Sequence, residues 1–197
     1  MPARKSPTKK AAAATGGPVL KIRVTLLYTE PPVWREFVVN SEMPLDSFCE
    51  MLLYVMGWEG GHMHEIMKGR VRYRPANPFG MDDDFDEEVR DAGEHTVADV
   101  LDKKGAKCHW TYDFGDSWEH EIKVLETGVE WSGRVPACTD GARACPPEDC
   151  GGNPGYENLC AAMADKKHPE HANLIEWLGA KFDPEAFSLK QVNDRLA

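Results

Sequence analysis

The chain has no stretch of 18 consecutive apolar residues, so nothing in it reads as a membrane-spanning helix. Its first residues lack the apolar core of a secretory signal. Also absent are a phosphate-cradling glycine loop ending in Gly-Lys, an HExxH helix, a nucleophile elbow and a dinucleotide fingerprint. No internal repeat is visible, which excludes solenoids and propellers. Positive charge is scarce, with 23 Lys and Arg against 33 Asp and Glu for a net −10. Four of the cations (Arg4, Lys5, Lys9, Lys10) lie in the first ten residues, so the remainder carries −14. Such a body repels nucleic-acid backbones unless it concentrates its cations locally. Nucleic acid is therefore a disfavoured partner, and a protein or peptide is the favoured one.

What remains is an ordinary globular composition, 42% hydrophobic and 28% charged over 197 residues, enough for one domain with a real core. Residues 1–18 read as a flexible basic leader and 19–197 as the domain. Six cysteines in a chain without an export signal are expected to be reduced or to bind metal, which points to a cytoplasmic setting.

Leu20, Ile22, Val24, Leu26 and Tyr28 alternate with polar residues, the period of a half-buried strand, and 33–39 alternates again. The intervening Pro31-Pro32 cannot continue a ladder. Leu45, Phe48, Cys49, Leu52, Leu53 and Met56 then follow helical spacing, and Gly57 closes that helix. Two extended runs, 63–67 and 70–74, flank a turn at Lys68-Gly69. Seven acids between 82 and 91 predict a surface loop. Thr96 and Asp99 have the spacing of a capping box, and Gly115-Asp116 separates two strands, 107–114 and 118–126. Beyond a loop at 127–155 the pattern is helical, with caps at Asn153-Pro154, Pro169 and Ser188. Strands early and helices late imply an α+β fold: a mainly antiparallel or mixed sheet, one early helix and a C-terminal helical cluster.

Several motifs stand together in order: Pro32-Val33-Trp34-Arg35, Met56-Gly57-Trp58-Glu59, His62-Met63-His64-Glu65, the run Tyr112-Asp113-Phe114-Gly115-Asp116-Ser117-Trp118-Glu119-His120, and Cys138 followed by Cys145-Pro146-Pro147-Glu148-Asp149-Cys150-Gly151-Gly152. In these the chain resembles the plasmid pRiA4b ORF-3-like family, over about Leu20 to Leu196. The resemblance implies a compact α+β domain without an established biochemical role, found on plasmids, chromosomes and some insertion elements, and hence an accessory of mobile genetic elements. Some relatives carry a resolvase-like label. This chain shows no serine nucleophile set among arginines and no helix-turn-helix to support it.

Four sets of residues bear chemistry. Cys138, Cys145 and Cys150 supply three thiols within 13 residues, a candidate zinc site in need of a histidine, or else small apolar fillers around a short helical turn at 146–149. His64, Asp113, Asp116 and His120 are candidate metal ligands or acid and base if they meet at one sheet edge; alternation otherwise makes His120 a core residue and Asp116 a turn former. His62 and His64, two apart on an extended segment, are a further possible ligand pair. Tyr112 and Trp118, with Trp34, Trp58, Trp110 and Phe114, would line an aromatic binding surface or else fill the core. Lys68, Arg70, Arg72 and Arg74 form a basic stripe, read as a phosphate site or as a face neutralised by the acidic loop. The leading reading is a non-catalytic binding or adaptor domain. A metal-dependent hydrolase or nuclease on the His/Asp set, and a zinc-stabilised scaffold, are its rivals.

Overall fold

The computed structural model describes residues 17–75, 88–179 and 181–197. Most of the basic leader and the acidic segment 82–87 lie outside the described residues.

Among the described residues eight strands form one sheet, in the order β5 (Glu88–Asp91), β4 (Val71–Arg74), β3 (His64–Lys68), β6 (Lys107–Tyr112), β7 (Trp118–Thr127), β1 (Val19–Leu26), β2 (Trp34–Asn40), β8 (Ala137–Ala142). Strand β1 (Val19–Leu26) buries Leu20, Ile22, Val24 and Leu26 in turn, and β2 (Trp34–Asn40) returns beside it. The opposite side of this pair is polar: Lys21 Nζ lies 2.7 Å and Arg23 Nη2 2.6 Å from the Glu36 carboxylate, and Arg23 also stacks over Trp34. Helix α1 (Leu45–Met56) lays its apolar stripe on the core, with Leu45, Phe48, Leu52 and Met56 almost wholly buried. Strands β3 (His64–Lys68) and β4 (Val71–Arg74) make the expected hairpin. The short helix α2 (Val97–Val100) has the capping box that Thr96 and Asp99 predict, the carboxylate accepting from the Thr96 N–H at 2.7 Å. Strands β6 (Lys107–Tyr112) and β7 (Trp118–Thr127) form the long central hairpin.

Two strands depart from the sequence expectation. Glu88–Asp91, placed there in the acidic loop, is β5, and it pairs in parallel with β4. Ala137–Ala142, within the expected 127–155 loop, is the edge strand β8 on β2. Neither segment has the apolar alternation of a half-buried strand, because each packs only at a sheet edge. The C-terminal cluster consists of α3 (Gly152–Ala164), α4 (His171–Leu178) and α5 (Leu189–Arg195). The Ser188 Oγ accepts from the Gln191 N–H, the predicted cap of α5. α5 packs against β8 and α1 and closes that end of the sheet. The fold is thus α+β with a mixed sheet.

Trp58, just past α1, is the hub of the aromatic core. Its ring lies 4.9 Å from Tyr112, 5.9 Å from Trp118, 6.0 Å from Trp110 and 5.3 Å from His120. Its indole N–H leaves this cluster to donate to the Pro146 carbonyl at 3.0 Å. One side chain therefore ties helix, hairpin and the cysteine-bearing loop together.

Candidate metal centre at the hairpin end

Strand β6 ends at Tyr112, and the chain turns at once through Asp113, whose φ of 55° is left-handed, before Ser117 (φ 54°) enters β7. Asp is one of the few side chains that tolerates this region, since its carboxylate can bond locally. Oδ1 of Asp113 accepts from the Gly115 N–H at 2.9 Å, which leaves Oδ2 to face His62 Nδ1 at 3.5 Å. His62 precedes β3 and is held edge-on against the Tyr112 ring. Its other ring nitrogen lies 3.5 Å from Oδ1 of Asp149.

Asp149 arrives from the 145–151 loop, which two contacts fix to the hairpin end and a third to the segment after α1. The Tyr112 hydroxyl donates to Glu148 Oε1 at 3.0 Å, the Glu59 N–H donates to the same carboxylate, and the Gly151 N–H donates to Asp116 Oδ2 at 3.1 Å. Gly152 completes the fit: its φ is +66°, and a Cβ there would lie 2.6 Å from the Asp116 carbonyl oxygen. Only glycine allows so close an approach with that backbone.

One ligand atom from each of His62, Asp113 and Asp149 lies within 4.8 Å of the others. An imidazole nitrogen and two carboxylate oxygens at that spacing suit a first-row divalent cation. Asp113 is buried, His62 half-buried and Asp149 exposed, so the cluster opens to solvent on one side. Beside it the Oε2 atom of Glu148 is buried without a hydrogen-bond partner.

The other sequence candidates fall elsewhere. His120 is wholly buried, its Nδ1 3.2 Å from the Trp110 carbonyl and its Nε2 unbonded, and burial pushes its pKa down to about 3. A neutral imidazole sealed in a tryptophan cluster cannot exchange protons with a substrate. Burial also lowers the pKa of His64, whose Nδ1 has no partner. Asp116 is a loop anchor. Of the four, only Asp113 belongs to the gathered set, and its partners are His62, singled out with His64 as a pair, and Asp149. Alternation could not find Asp149, because 146–149 is not the expected helical turn; Asp149 takes a left-handed conformation (φ 55°) in a plain turn.

The three loop thiols do not gather as a metal-binding group among the described residues. Cys138, on β8, donates to the Asp140 carbonyl, and Cys145 and Cys150 are held as thiols by burial, Cys150 with its pKa raised to about 12. Tyr112 and Trp118, like Trp58 and Trp110, are core residues with no exposed ring, so of the expected aromatic surface only Phe114 and part of Trp34 reach solvent. Nor is there a free basic stripe: Arg72 and Arg74 both bond to the buried carboxylate of Glu65 on β3, Lys68 caps the Lys107 carbonyl, and Arg70 sits exposed in the turn. Among the described residues Glu65 supplies neutralising charge to this stripe; the acidic segment expected to do so lies, from 82 to 87, outside them.

A model of the family described as plasmid pRiA4b ORF-3-like protein matches residues 18–191. The chain belongs to that family. A relative, the uncharacterized protein y4hQ of Sinorhizobium fredii (strain NBRC 101917 / NGR234), is 35% identical over 178 residues, covering 89% of each chain. The crystal structure of the protein of unknown function MM3350 from Methanosarcina mazei Go1 is similar at a TM-score of 0.79 and 26% identity, over 89% of this chain and 98% of that one. The pRiA4b ORF-3-like fold is thus shared with proteins of unknown function. No helix among the described residues is long and apolar enough to cross a membrane.

Proposed function

We propose that this domain is a binding module whose docking site is a divalent cation held by His62, Asp113 and Asp149. The observation that carries the reading is the convergence of those three donors from three separate segments. Nitrogen and carboxylate donors together favour zinc or manganese over calcium. Three protein ligands leave coordination positions open, and a carboxylate or phosphate group of a partner can fill them. The acidic charge of the domain favours a protein or peptide partner over nucleic acid. Six free cysteines accord with a reducing, cytoplasmic setting. Binding is preferred to hydrolysis because the four candidate ligands or acid and base do not gather: His120 is sealed in the core, Asp116 accepts from the Gly151 N–H, and His64 is not in the His62–Asp113–Asp149 group.

Isothermal titration of the chelator-stripped full chain with Zn²⁺ and Mn²⁺ tests the reading. One site is expected, weakened at least about tenfold in His62→Ala and in Asp149→Asn, with circular dichroism unchanged. Absence of binding, or affinity that survives both substitutions, refutes it. Turnover of an activated phosphodiester by the metal-loaded protein would replace the binding reading with the hydrolase one.

A further inference from the structure

Arg35, on β2, is 3% exposed, and its guanidinium is bonded only to backbone carbonyls. Nη1 donates to Trp34 O and Ala142 O, each at 2.8 Å; Nη2 donates to Arg143 O at 2.8 Å and Met56 O at 3.4 Å. The fifth donor, Nε–H, is buried and has no partner. An arginine is always charged in a protein, and a buried charge ordinarily has a counter-ion. The other buried arginine obeys this: Arg143 is 2.9 Å from Glu185. No carboxylate pairs with Arg35 among the described residues of a chain whose acids outnumber its cations by ten. The ionisable groups that face it, Cys145, Cys138 and Tyr156, are kept neutral at pH 7 by burial.

Arg35 forms part of the wall of a cavity of about 670 Å³ between the end of α1, the chain after β8, and α5. Phe187 covers one face of the guanidinium, its ring centroid 4.7 Å away. A second cation, Arg195, is exposed at the cavity and reaches over Gly57 beside Cys145. Asp194, the acid on the wall, is already paired with Lys190 at 2.6 Å. Tyr54, 47% exposed, adds aromatic surface. The volume is that of an ordinary small-molecule site, and two cations with aromatic walls are the furnishings of an anion site with an apolar side.

We propose that this cavity binds a small organic anion, its carboxylate or phosphate group held by Arg35 and Arg195 and its apolar part by Phe187 and Tyr54. The ligand supplies the counter-ion that the fold withholds from Arg35. The alternative is that Arg35 is solely a strut joining β2 to the backbone at Met56, Ala142 and Arg143.

The test is titration of the full chain, in chelator so that no cation at His62 contributes, with phenyl phosphate, benzoate and neutral benzyl alcohol. Binding is read by calorimetry and by the ¹⁵N–¹H resonance of the Arg35 Nε–H group. Phenyl phosphate or benzoate should bind and move that resonance, whichever binds tighter identifying the headgroup, and benzyl alcohol should not. Affinity should fall about tenfold in Arg195→Gln, a surface change that leaves folding intact. If neither anion binds at millimolar concentration, if benzyl alcohol binds equally well, or if the Arg35 resonance stays fixed during binding, the strut reading replaces this one.

Discussion

The Tyr112 hydroxyl donates to Glu148 at 3.0 Å, and through it the last residue of β6 holds the loop that carries Asp149. Tyr112 belongs to the core, so the loop is anchored on a buried part of the sheet. Asp149 is thereby brought to within 3.5 Å of His62 although 87 residues separate them in sequence.

Tyr112→Phe keeps the ring and removes the hydroxyl. The lost bond costs about 1 kcal/mol, because Glu148 Oε1 loses one of its two donors and keeps the Glu59 N–H. Urea unfolding reads that loss. Metal affinity should fall as well, since Asp149 is no longer pinned, and amide exchange at Glu59 and Gly151 should quicken. If stability drops while exchange at both amides is unchanged, Tyr112 does not position the loop.

His120 makes stability depend on pH in a definite direction. Its folded pKa, about 3, lies below the usual imidazole value, so between the two the unfolded chain binds more protons than the folded one. Stability is therefore full above pH ~6.5 and declines as the pH falls below it, by about 2 kcal/mol at pH 5 from this residue. His64, also lowered by burial, adds to the same slope. In His120→Phe the difference in unfolding free energy between pH 7 and pH 5 should shrink by that amount. An unchanged difference would mean that the ring is not the buried neutral group it is argued to be.

Periodicity made most of this architecture legible. The alternation in β1 and β7 and the apolar stripe of α1 survive intact because each element buries one face, and burial is what writes a period into a sequence. The edge strands β5 and β8 bury little and leave no such record. The site was half legible. His62 and Asp113 are legible as ligand types, His62 through its spacing from His64, whereas the chemistry of His120 points to a site although its place in the Trp118-x-His120-x-Ile122 row makes it core. Asp149 was hidden because its role comes from a left-handed turn and from Tyr112, neither of which has a local pattern. The missing partner of Arg35 is likewise a matter of tertiary placement.

Glu65 is the residue on which the basic stripe depends. Its buried carboxylate accepts from both Arg72 and Arg74, and removing it takes a buried anionic partner from each of the two cations. Glu65→Ala should cost about 3 kcal/mol, the lower end for breaking a buried pair because the arginines retain some solvent. Arg70→Ala, in the exposed turn, should change stability by less than about 0.5 kcal/mol. Chemical denaturation of the two variants side by side gives the comparison. Wild-type protein should not be retained with DNA on a filter at low salt, whereas equal stability losses in the two variants would show that the stripe is not organised by Glu65.

Gly141, on the edge strand β8, lies where Phe187 and Arg35 come together. A Cβ at this position would be 2.6 Å from the Phe187 ring and 2.8 Å from Cδ of Arg35, so one of the two must shift out of their stack. The intrusion of one methyl group into such a contact costs about 1–3 kcal/mol. Gly141→Ala should lower the unfolding midpoint accordingly, and it should do so mainly by displacing Phe187, since the aromatic ring sits at the cavity and has open space beside it. The double variant Gly141→Ala, Phe187→Ala separates the two causes. If the clash is with Phe187, adding Phe187→Ala to Gly141→Ala should cost about 1 kcal/mol less than Phe187→Ala costs in the wild-type background. Strict additivity would mean that the methyl group is absorbed elsewhere and that the Arg35–Phe187 stack is not what this glycine protects.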